Sequence, residues 1–508
     1  MYPINITDYM HATAAKFPDK IAIIQNEKKL SFAELLNRVL SLAHQINRIL
    51  EGKKRQIITV LMPKGLEAAV ADLAILYSGN TYMNLDSHNP VSRLNLILKQ
   101  TNPALLLYAN DSCPLQHKGF KVELDKLPEL DDKTREQTFN LRNGLIDTDL
   151  MCLINTSGST GVPKAVALSH RSFIDFVEAV RESGLIKKDE VIGSLSPIMF
   201  DIWSFELCMV MAYASALVCL PENEAAFPLR LLEHVKKSGV SFIFWVPTIM
   251  VNIANMKLLD ELSLPDLKMI WFAGEVFPTS KFNYWHEKLP GATFANFYGP
   301  IEITLDCLYH VIKRPMDPAE PIPIGKPFRN TGVLVLDENQ HEIKSSMPGI
   351  KGELCIRGSS LAMGYYNNPE KTAATFTQNP LNPAYPEIIY HTGDIVSWNK
   401  DGELIFKGRK DTLIKHSGYR IELGEIEHAA INIPGNITNV CALYDKTAKE
   451  IWLIYESPVE LDQKELRRAL GKALPRYMLP HRYYWLVEMP RNPNGKIDRK
   501  LLQDKFLK

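Results

Sequence analysis

The chain has 508 residues, of which 46% are hydrophobic and 23% are charged, so it is too long for a single small module and has the mixture of a folded protein. Basic and acidic residues both number 58, so the formal net charge is zero. This balance excludes an overall positive electrostatic field that would attract nucleic acid or an anionic membrane. Seven cysteines occur without a Cys-x-x-Cys pair, so a zinc site built from cysteine pairs is disfavoured. Their odd number and scatter also disfavour a disulfide framework and favour a protein of a reducing compartment. We therefore expect a multi-domain cytoplasmic protein that binds neither nucleic acid nor membranes.

The first part of the chain alternates short apolar runs with stretches of helical period. The runs 57–62, 81–85, 104–108 and 150–154 are predicted strands, and 32–49 and 65–77 are predicted helices. This alternation is typical of βαβ units and predicts an α/β fold with a mostly parallel sheet. The apolar run 207–220 is too short to span a bilayer, and we interpret it as a buried helix that leads into a strand. The polar segment 111–149 is predicted to be a solvated excursion.

The predicted strand 150–154 leads into a loop that is rich in small and hydroxyl residues and ends at Lys164. Glycine, hydroxyl and amide groups together with a lysine are suited to holding phosphate oxygens. A Walker A loop is excluded, because Val162 and Pro163 stand directly before the lysine where that motif requires glycine. Residues 165–168 resemble a second strand, so the loop is predicted to join two strands. By itself, a loop of this composition is more often a flexible connection than a phosphate site.

Six further segments follow this loop in a fixed order: Phe200-Asp201 with Phe205-Glu206, Asn296-Phe297-Tyr298-Gly299-Pro300-Ile301-Glu302, Tyr390-His391-Thr392-Gly393-Asp394, Gly408-Arg409-Lys410-Asp411 with Gly418-Tyr419-Arg420, Leu474-Pro475-Arg476-Tyr477, and Asn492-Pro493-Asn494-Gly495-Lys496. With the loop, they resemble the ANL superfamily of acyl-CoA synthetases, firefly-type luciferases and adenylation domains of nonribosomal peptide synthetases. The resemblance implies a large N-terminal domain of mixed αβ sheets, residues 1–410, that binds ATP and the acid. It also implies a small mobile α+β lid, residues 411–508.

The resemblance assigns roles to individual residues. Lys496 matches the catalytic lysine that contacts the substrate carboxylate, and Glu302 matches a catalytic carboxylate that binds Mg²⁺. Asp411 matches the hinge of the lid, and Gly418 lies in the loop that lines the channel for a thiol. Tyr298 matches the ring that stacks on adenine, Asp394 the acceptor for the ribose hydroxyls, and Arg409 a further nucleotide contact. The remaining nucleotide-binding positions are Thr156, Ser157, Gly158, Ser159, Thr160, Gly161, Lys164, Asn296, Phe297 and Gly299. ATP and Mg²⁺ are thus the implied cofactors.

Asp201 matches the aspartate that binds the α-ammonium group of amino-acid substrates in the peptide synthetase branch. A more modest interpretation is that it caps the helix that begins at Ile202. The positions that line the implied substrate pocket are mostly bulky, which favours a compact amino acid, although Asp306 suits a polar or basic side chain. They are Ile202, Phe205, Phe244, Trp271, Ala273, Phe297, Leu305 and Asp306.

The molecule that accepts the activated acyl group is inferred from the motifs that the sequence lacks. No Gly-Gly-x-Ser segment follows Lys496 to carry phosphopantetheine, so we expect a separate phosphopantetheinylated carrier protein as partner, as in stand-alone peptide synthetase enzymes and D-alanine–carrier protein ligases. One alternative is an acyl-CoA synthetase that joins a non-amino acid to coenzyme A. A second is a non-catalytic scaffold. Ala165, His391 and Ile301 depart from the residues usual at their positions in the family, but none of these changes removes a charged catalytic group.

Overall fold

The computed structural model describes residues 3–109, 115, 117, 119–157, 163–187, 189–410, 413–433, 437–491 and 497–507. The chain divides into two compact units. The large unit comprises Met1–Ser87, Asn102–Ile154 and Ala165–Lys410, and the small unit comprises His88–Thr101, Asn155–Lys164 and Asp411–Lys508.

The strands in the described residues are β1 Ile21–Gln25, β2 Lys28–Ser31, β3 Ile57–Leu61, β4 Thr81–Asn84, β5 Leu105–Tyr108, β6 Gly119–Lys121, β7 Leu150–Thr156, β8 Lys164–Ser169, β9 Val191–Ser194, β10 Ala216–Cys219, β11 Phe242–Trp245, β12 Met269–Phe272, β13 Thr293–Tyr298, β14 Leu308–Ile312, β15 Lys326–Pro327, β16 Thr331–Leu336, β17 Lys351–Gly358, β18 Phe376–Gln378, β19 Ile388–Trp398, β20 Leu404–Arg409, β21 Leu413–His416, β22 Tyr419–Glu422, β23 Asn439–Asp445, β24 Glu450–Glu456 and β25 Arg482–Leu486.

The α-helices are α1 Thr7–Lys16, α2 Phe32–Ile49, α3 Leu66–Tyr77, α4 Val91–Thr101, α5 Asp132–Phe139, α6 His170–Ser183, α7 Asp201–Tyr213, α8 Pro228–Lys237, α9 Pro247–Asn255, α10 Thr279–Lys288, α11 Pro369–Thr375, α12 Leu423–Ile431, α13 Gln463–Leu470 and α14 Arg499–Phe506.

Three sheets make up most of the large unit. One has the order β15-β14-β13-β12-β11-β9-β10-β1-β2, with a parallel interior and antiparallel pairs at both ends. The second has the order β6-β5-β3-β4-β7-β8, and the third is antiparallel, with β16-β17-β19-β18 in sequence and β20 on β19. All five residues of β3 are buried, as expected for a parallel strand covered on both faces.

The predicted α/β class is confirmed, and several elements match closely. The predicted helix 32–49 is α2, which begins with a capping box between Ser31 and Glu34. The four predicted strands correspond to β3, β4, β5 and β7, and the run 207–220 comprises the end of α7 and all of β10. The loop after β7 leads into β8, so it joins two strands as predicted.

The described part of the segment 111–149 packs against the large unit more closely than a solvated excursion would. It contributes β6 to the six-stranded sheet and contains α5. Val122 is buried, and the Ser41 hydroxyl on α2 donates to the Pro128 carbonyl at 2.7 Å. A few apolar residues within the polar sequence therefore anchor the segment against the large unit.

The small unit has its own hydrophobic core, formed by residues such as Ile421, Ile426 and Leu453. Strands β21 and β22 form a hairpin whose turn contains Gly418 at φ +82°, a left-handed conformation that suits glycine. A separate sheet has the order β23-β24-β25. Across the described ranges of both units, no helix combines the length and apolarity required to cross a membrane.

Candidate active site

Three neighbouring parallel strands of the nine-stranded sheet, β11, β12 and β13, present aromatic residues on one face. Phe244 and Trp271 are direct partners across β11 and β12, and Phe297 lies two residues beyond Ala295, the partner of Trp271 on β13. The ring centroids of Trp271 and Phe297 are 4.2 Å apart, and those of Phe244 and Trp271 are 5.6 Å apart. The structure thus brings three of the predicted pocket residues into contact.

Phe205 completes this group from α7. Its ring centroid lies 6.0 Å from that of Trp271 in a stacked arrangement and 6.3 Å from that of Phe244 in an edge-on arrangement. We call Phe205, Phe244, Trp271 and Phe297 the aromatic cluster. All four are buried, so the face of the sheet next to α7 is filled by rings.

The other predicted pocket positions lie on segments next to these elements. Ile202 is half-buried in the first turn of α7, and Ala273 directly follows β12. Leu305 and Asp306 are buried in the segment before β14. Burial, together with the charge of Asp306, raises the pKa of the adjacent Cys307 thiol well above its usual value.

Gly299 permits a close approach directly after β13. A Cβ atom at this position would lie 2.0 Å from the Leu305 carbonyl oxygen, so no larger residue fits without movement of the backbone. Thr304 and Leu305 both have positive φ angles, +55° and +66°. Such conformations are strained for residues other than glycine, and they concentrate where a fold positions functional groups. The turn after β13 is therefore tightly constrained.

Asp201 is the first residue of α7, and its carboxyl faces this constrained turn. Burial raises its pKa to about 6, while the backbone N–H groups of Ile202, Asp201 itself and Leu305 favour the ionised form. The negative charge of Glu302 raises the pKa further. The carboxyl therefore lies in the first turn of α7, where a helix N-terminus favours a negative charge, and it also contacts the segment predicted to line the pocket. Phe200 occupies the N-cap position of α7, so Asp201 lies inside the first turn and does not cap a helix that begins at Ile202, while the ammonium-binding role stays a prediction.

Tyr298, Asp394 and Arg409 form a connected polar group. The Tyr298 hydroxyl donates to Asp394 Oδ2, and Arg409 Nη1 donates to Asp394 Oδ1 at 2.5 Å. Asp394 and Arg409 are partners across β19 and β20, so sheet register places them side by side. Burial and the negative charge of Asp394 raise the pKa of Tyr298 well above its usual value. A carboxylate oxygen can accept more than one hydrogen bond, so Asp394 retains acceptor capacity for the hydroxyls of a ligand.

Glu302 lies in a short 3₁₀ helix, Ile301–Ile303, and is fully buried. Its Oε1 accepts a hydrogen bond from the Tyr365 hydroxyl at 2.8 Å, and its backbone carbonyl accepts from the Ala362 N–H at 2.9 Å. A hard carboxylate oxygen is the ligand type that Mg²⁺ prefers, so the donor chemistry of Glu302 fits this ion. Sequence analysis missed Tyr365. It is 63 residues away along the chain, and no local pattern links the two positions.

Asn296 and Phe297 lie on β13, one strand position apart. The Asn296 amide donates to the Pro323 carbonyl at 2.7 Å, and Phe297 belongs to the aromatic cluster. The two side chains therefore point to opposite faces of the sheet, since neighbouring strand residues alternate. Asn296 is held by the protein itself, whereas Phe297 lies on the side of the aromatic cluster.

The described part of the predicted phosphate loop contacts β22 within the small unit. The Ser157 hydroxyl donates to the Arg420 carbonyl at 2.9 Å and accepts from the Glu422 N–H at 3.0 Å. Lys164 Nζ lies 3.4 Å from Glu422 Oε1, with both side chains buried. Thr156 Oγ1 is 3.4 Å from the Lys164 carbonyl. Glu422, which neutralises the loop lysine, was given no role in the sequence analysis.

Several predicted residues lie outside the described part of the chain. They are Gly158, Ser159, Thr160 and Gly161 in the loop, the hinge residue Asp411, and the catalytic candidate Lys496. Gly418 is described, and it occupies the turn between β21 and β22. The structure thus brings together the aromatic cluster, the Tyr298–Asp394–Arg409 group and the pair of Asp201 and Glu302.

Comparison with known proteins identifies the family to which the chain belongs. The family model described as AMP-binding enzyme matches residues 10–366. The L-proline–[L-prolyl-carrier protein] ligase of Streptomyces coelicolor is 31% identical over 96% of this chain and 94% of its own length. Tyrocidine synthase 1 of Brevibacillus parabrevis is 32% identical over 98% of this chain, which spans 45% of that longer protein. The solved structure of holo-PA1221, a protein with adenylation and carrier domains, has a TM-score of 0.84 at 23% identity and covers 99% of this chain and 84% of its own.

The family match over residues 10–366 and the carrier protein ligase relative place this mixed α/β fold in the adenylate-forming class of enzymes. The chain belongs to the AMP-binding enzyme family, so the ANL resemblance drawn from the motifs is confirmed. Membership of this family implies ATP as the nucleotide.

Proposed function

We propose that this chain is an amino acid–carrier protein ligase. It activates an amino acid with ATP to an aminoacyl adenylate and then passes the aminoacyl group to the phosphopantetheine thiol of a carrier protein. The observation that carries the proposal is the half-buried carboxyl of Asp201 in the first turn of α7, the helix that also carries Phe205 of the aromatic cluster, close enough to Glu302 for the two charges to interact. A relative whose name describes a prolyl-carrier protein ligase, aligned over 94% of its length, supports the same activity.

The first step joins the amino acid to AMP. A carboxylate oxygen of the amino acid attacks the α-phosphorus of ATP, and the bond from that phosphorus to the bridging oxygen of pyrophosphate breaks. Asp201 holds the α-ammonium group by charge, and Asp394 accepts hydrogen bonds from the ribose hydroxyls. When bound, Mg²⁺ supplies positive charge at the phosphates, and Glu302 is the residue proposed to hold it. Lys496 is proposed to stabilise the negative charge that develops in the transition state.

The loop lysine is proposed to change partner when ATP binds. Lys164 is buried beside Glu422, so its positive charge is already compensated within the small unit. A triphosphate carries more negative charge than one carboxylate and competes for the lysine. We therefore propose that Lys164 exchanges Glu422 for phosphate oxygens. The Ser157 hydroxyl, which bonds to the same strand, is released with it.

The aromatic cluster indicates the size of the substrate. Phe205, Phe244, Trp271 and Phe297 contact one another, so little room remains for a large side chain. We propose a compact amino acid. Replacing Phe205 or Phe297 with alanine removes one ring, and each variant is expected to accept larger side chains while losing activity on the native substrate. Amino-acid-dependent ATP–pyrophosphate exchange with small, branched and aromatic amino acids measures this shift, and an unchanged preference in both variants would contradict the proposed pocket.

The proposed activity is tested by exchange across a panel of amino, fatty and aryl acids. We expect exchange with a small amino acid, followed by loading of a phosphopantetheinylated carrier protein observed as a mass increase. Exchange with fatty or aryl acids alone, and acyl transfer to coenzyme A, would instead identify an acyl-CoA synthetase. The matched variant is Asp201→Asn, which keeps the shape of the side chain but removes its charge. It is expected to lose most of the exchange with the amino acid.

A further inference from the structure

A cluster of three potential metal ligands lies on the antiparallel sheet formed by β16 to β20. Cys355 on β17 and His391 on β19 are direct cross-strand partners, so their side chains project from the same face. Glu353 lies two residues before Cys355. The pairing of β17 with β19 is irregular between Glu353 and Cys355, because β19 inserts extra residues at Thr392–Asp394. This bulge brings Glu353 alongside the cross-strand pair.

The three ligand atoms lie close enough to share one ion. His391 Nδ1 is 3.3 Å from Cys355 Sγ and 3.4 Å from Glu353 Oε2, and the three ligand atoms all lie within 4.8 Å of one another. Ligands bound to zinc at ~2.0–2.3 Å in a tetrahedron are ~3.5 Å apart. Small side-chain adjustments would therefore complete a three-ligand site.

Neighbouring groups already orient two of the ligands. His391 Nε2 lies 3.2 Å from Thr377 Oγ1, so when Nδ1 binds a metal the proton on Nε2 can be donated to this hydroxyl. The Gly393 N–H donates to Glu353 Oε1 at 3.1 Å and leaves Oε2 facing the histidine. Hydrogen bonds of this kind, from the outer atoms of the ligands, are typical of metal sites in proteins.

We propose that Glu353, Cys355 and His391 form a binding site for Zn²⁺ with an open fourth position. A thiolate, an imidazole and a carboxylate form a ligand set that suits zinc and other borderline transition metals, and it does not suit Mg²⁺. On binding, the thiol proton passes to solvent as the S–Zn bond forms. His391 and Glu353 are partly exposed, with 21% and 12% of their side-chain surface accessible, so an ion can reach them from outside.

This site differs from the Mg²⁺ role proposed for Glu302 in its residues and chemistry. The distinguishing residue, His391, was noted in the sequence analysis as a departure from the residue usual at its position in the family. The cysteine spacing gave no zinc motif, because these ligands come from separate strands and meet only through sheet register and the bulge.

Zinc binding is tested on the full chain after removal of divalent ions, by competition with a chromophoric zinc chelator. We expect one zinc per chain in this site, and a loss of affinity of at least about 10- to 100-fold in each of Cys355→Ser and His391→Gln, because removing a ligand costs no less than removing one of its outer hydrogen-bond partners. The matched control is Cys441→Ser, another buried cysteine, in β23 of the small unit, which should bind as the wild type does. Equal zinc affinity in the wild type and both ligand variants would overturn the proposal.

Cobalt gives a second readout that does not depend on activity. Co²⁺ bound through Cys355 is expected to produce a sulfur-to-cobalt charge-transfer band that is absent in Cys355→Ser and present in Cys441→Ser. Circular dichroism of the metal-free variants checks that each one folds. If Cys355→Ser does not fold, His391→Gln still tests the site. A wild type without the band would contradict the site. Because neither measurement uses amino acid or ATP, the result is separate from the test of the proposed function.

Lys410 offers a variant with the opposite expected effect. Its Nζ lies 3.5 Å from Glu353 Oε2 and competes with a metal for that oxygen. Lys410→Gln is therefore expected to increase zinc affinity severalfold. A decrease would show that Glu353 Oε2 is not a ligand.

Discussion

Asp201 is the residue on which the proposed substrate selection depends, and its environment makes the charge of its carboxyl sensitive to pH. Burial raises its pKa to about 6, so at pH 7 and above the group is ionised and able to hold an ammonium ion. At ~4 Å and an effective dielectric constant near 20, this attraction is worth about 4 kcal/mol. The same burial disfavours the charged form in the folded protein.

The first prediction concerns this charge in catalysis. Asp201→Asn is expected to lower kcat/KM for the amino acid about 100- to 1000-fold while leaving ATP binding intact, because only the ammonium contact is lost. In the wild type, kcat/KM should fall as the pH decreases through about 6, because protonation removes the charge. Exchange assays from pH 5 to 8 measure both effects. A wild-type profile that stays flat across pH 6 would exclude Asp201 as the ammonium-binding group.

The second prediction concerns the same residue and stability. The folded-state pKa of about 6 lies above the unfolded value of 3.8, so the carboxyl favours folding only when protonated, and this contribution is lost as pH rises from about 4 to 6. Asp201→Asn should therefore stabilise the protein at pH 7.5 by roughly 1–3 kcal/mol, and the gain should shrink at pH 4.5. Denaturant unfolding at the two pH values measures the difference. An equal effect at both values would contradict the raised pKa.

The turn after β13 is the element that positions the site. It contains Gly299 and Glu302, and its positive-φ residues direct the Leu305 N–H towards Asp201. Such a turn forms only where the backbone at Gly299 can come close to the backbone at Leu305. Its geometry therefore depends on one glycine more than on the charged residues around it.

The third prediction is that Gly299→Ala lowers both stability and activity. The added Cβ would lie 2.0 Å from the Leu305 carbonyl oxygen, so the turn must shift at a cost of about 1–3 kcal/mol. Adenylation should fall at least tenfold, as Glu302 and Leu305 move. Gly291→Ala is the control, since a Cβ there meets nothing within 4 Å. The two variants are compared by thermal unfolding and by ATP–pyrophosphate exchange. Equal stability and equal exchange in both would contradict the steric constraint at Gly299.

At the scale of the whole molecule, the proposed reaction requires residues from both parts of the sequence. The large unit supplies Asp201, Tyr298 and Asp394, and Lys496 lies in the last segment of the chain, outside the described residues. Its role comes from the resemblance of its motif.

The fourth prediction separates the two half-reactions. Lys496→Ala should reduce ATP–pyrophosphate exchange by orders of magnitude while ATP still binds, because a contact made in the transition state is lost. Transfer from a supplied aminoacyl adenylate to the carrier should be retained. Lys500→Ala, an exposed position on α14, is the matched control. Near-normal exchange in Lys496→Ala would refute the catalytic role.

The sequence by itself determined the class of the fold, most element positions and the candidate residues. Helix α2 and strands β3 to β5 were predicted closely because periodicity and capping depend on residues near one another in the chain. The packing of the segment 111–149 was not predicted, because a few buried contacts outweighed its polar composition. The motif residues that place the chain in its family are likewise local strings.

Only the tertiary structure decided how these residues meet. The hydrogen bond from Tyr365 to Glu302, the raised pKa of Asp201 and the cluster of Glu353, Cys355 and His391 involve residues far apart in sequence. Their geometry depends on sheet register, a strand bulge and burial, which arise from packing between distant segments. A linear pattern carries no direct record of such contacts.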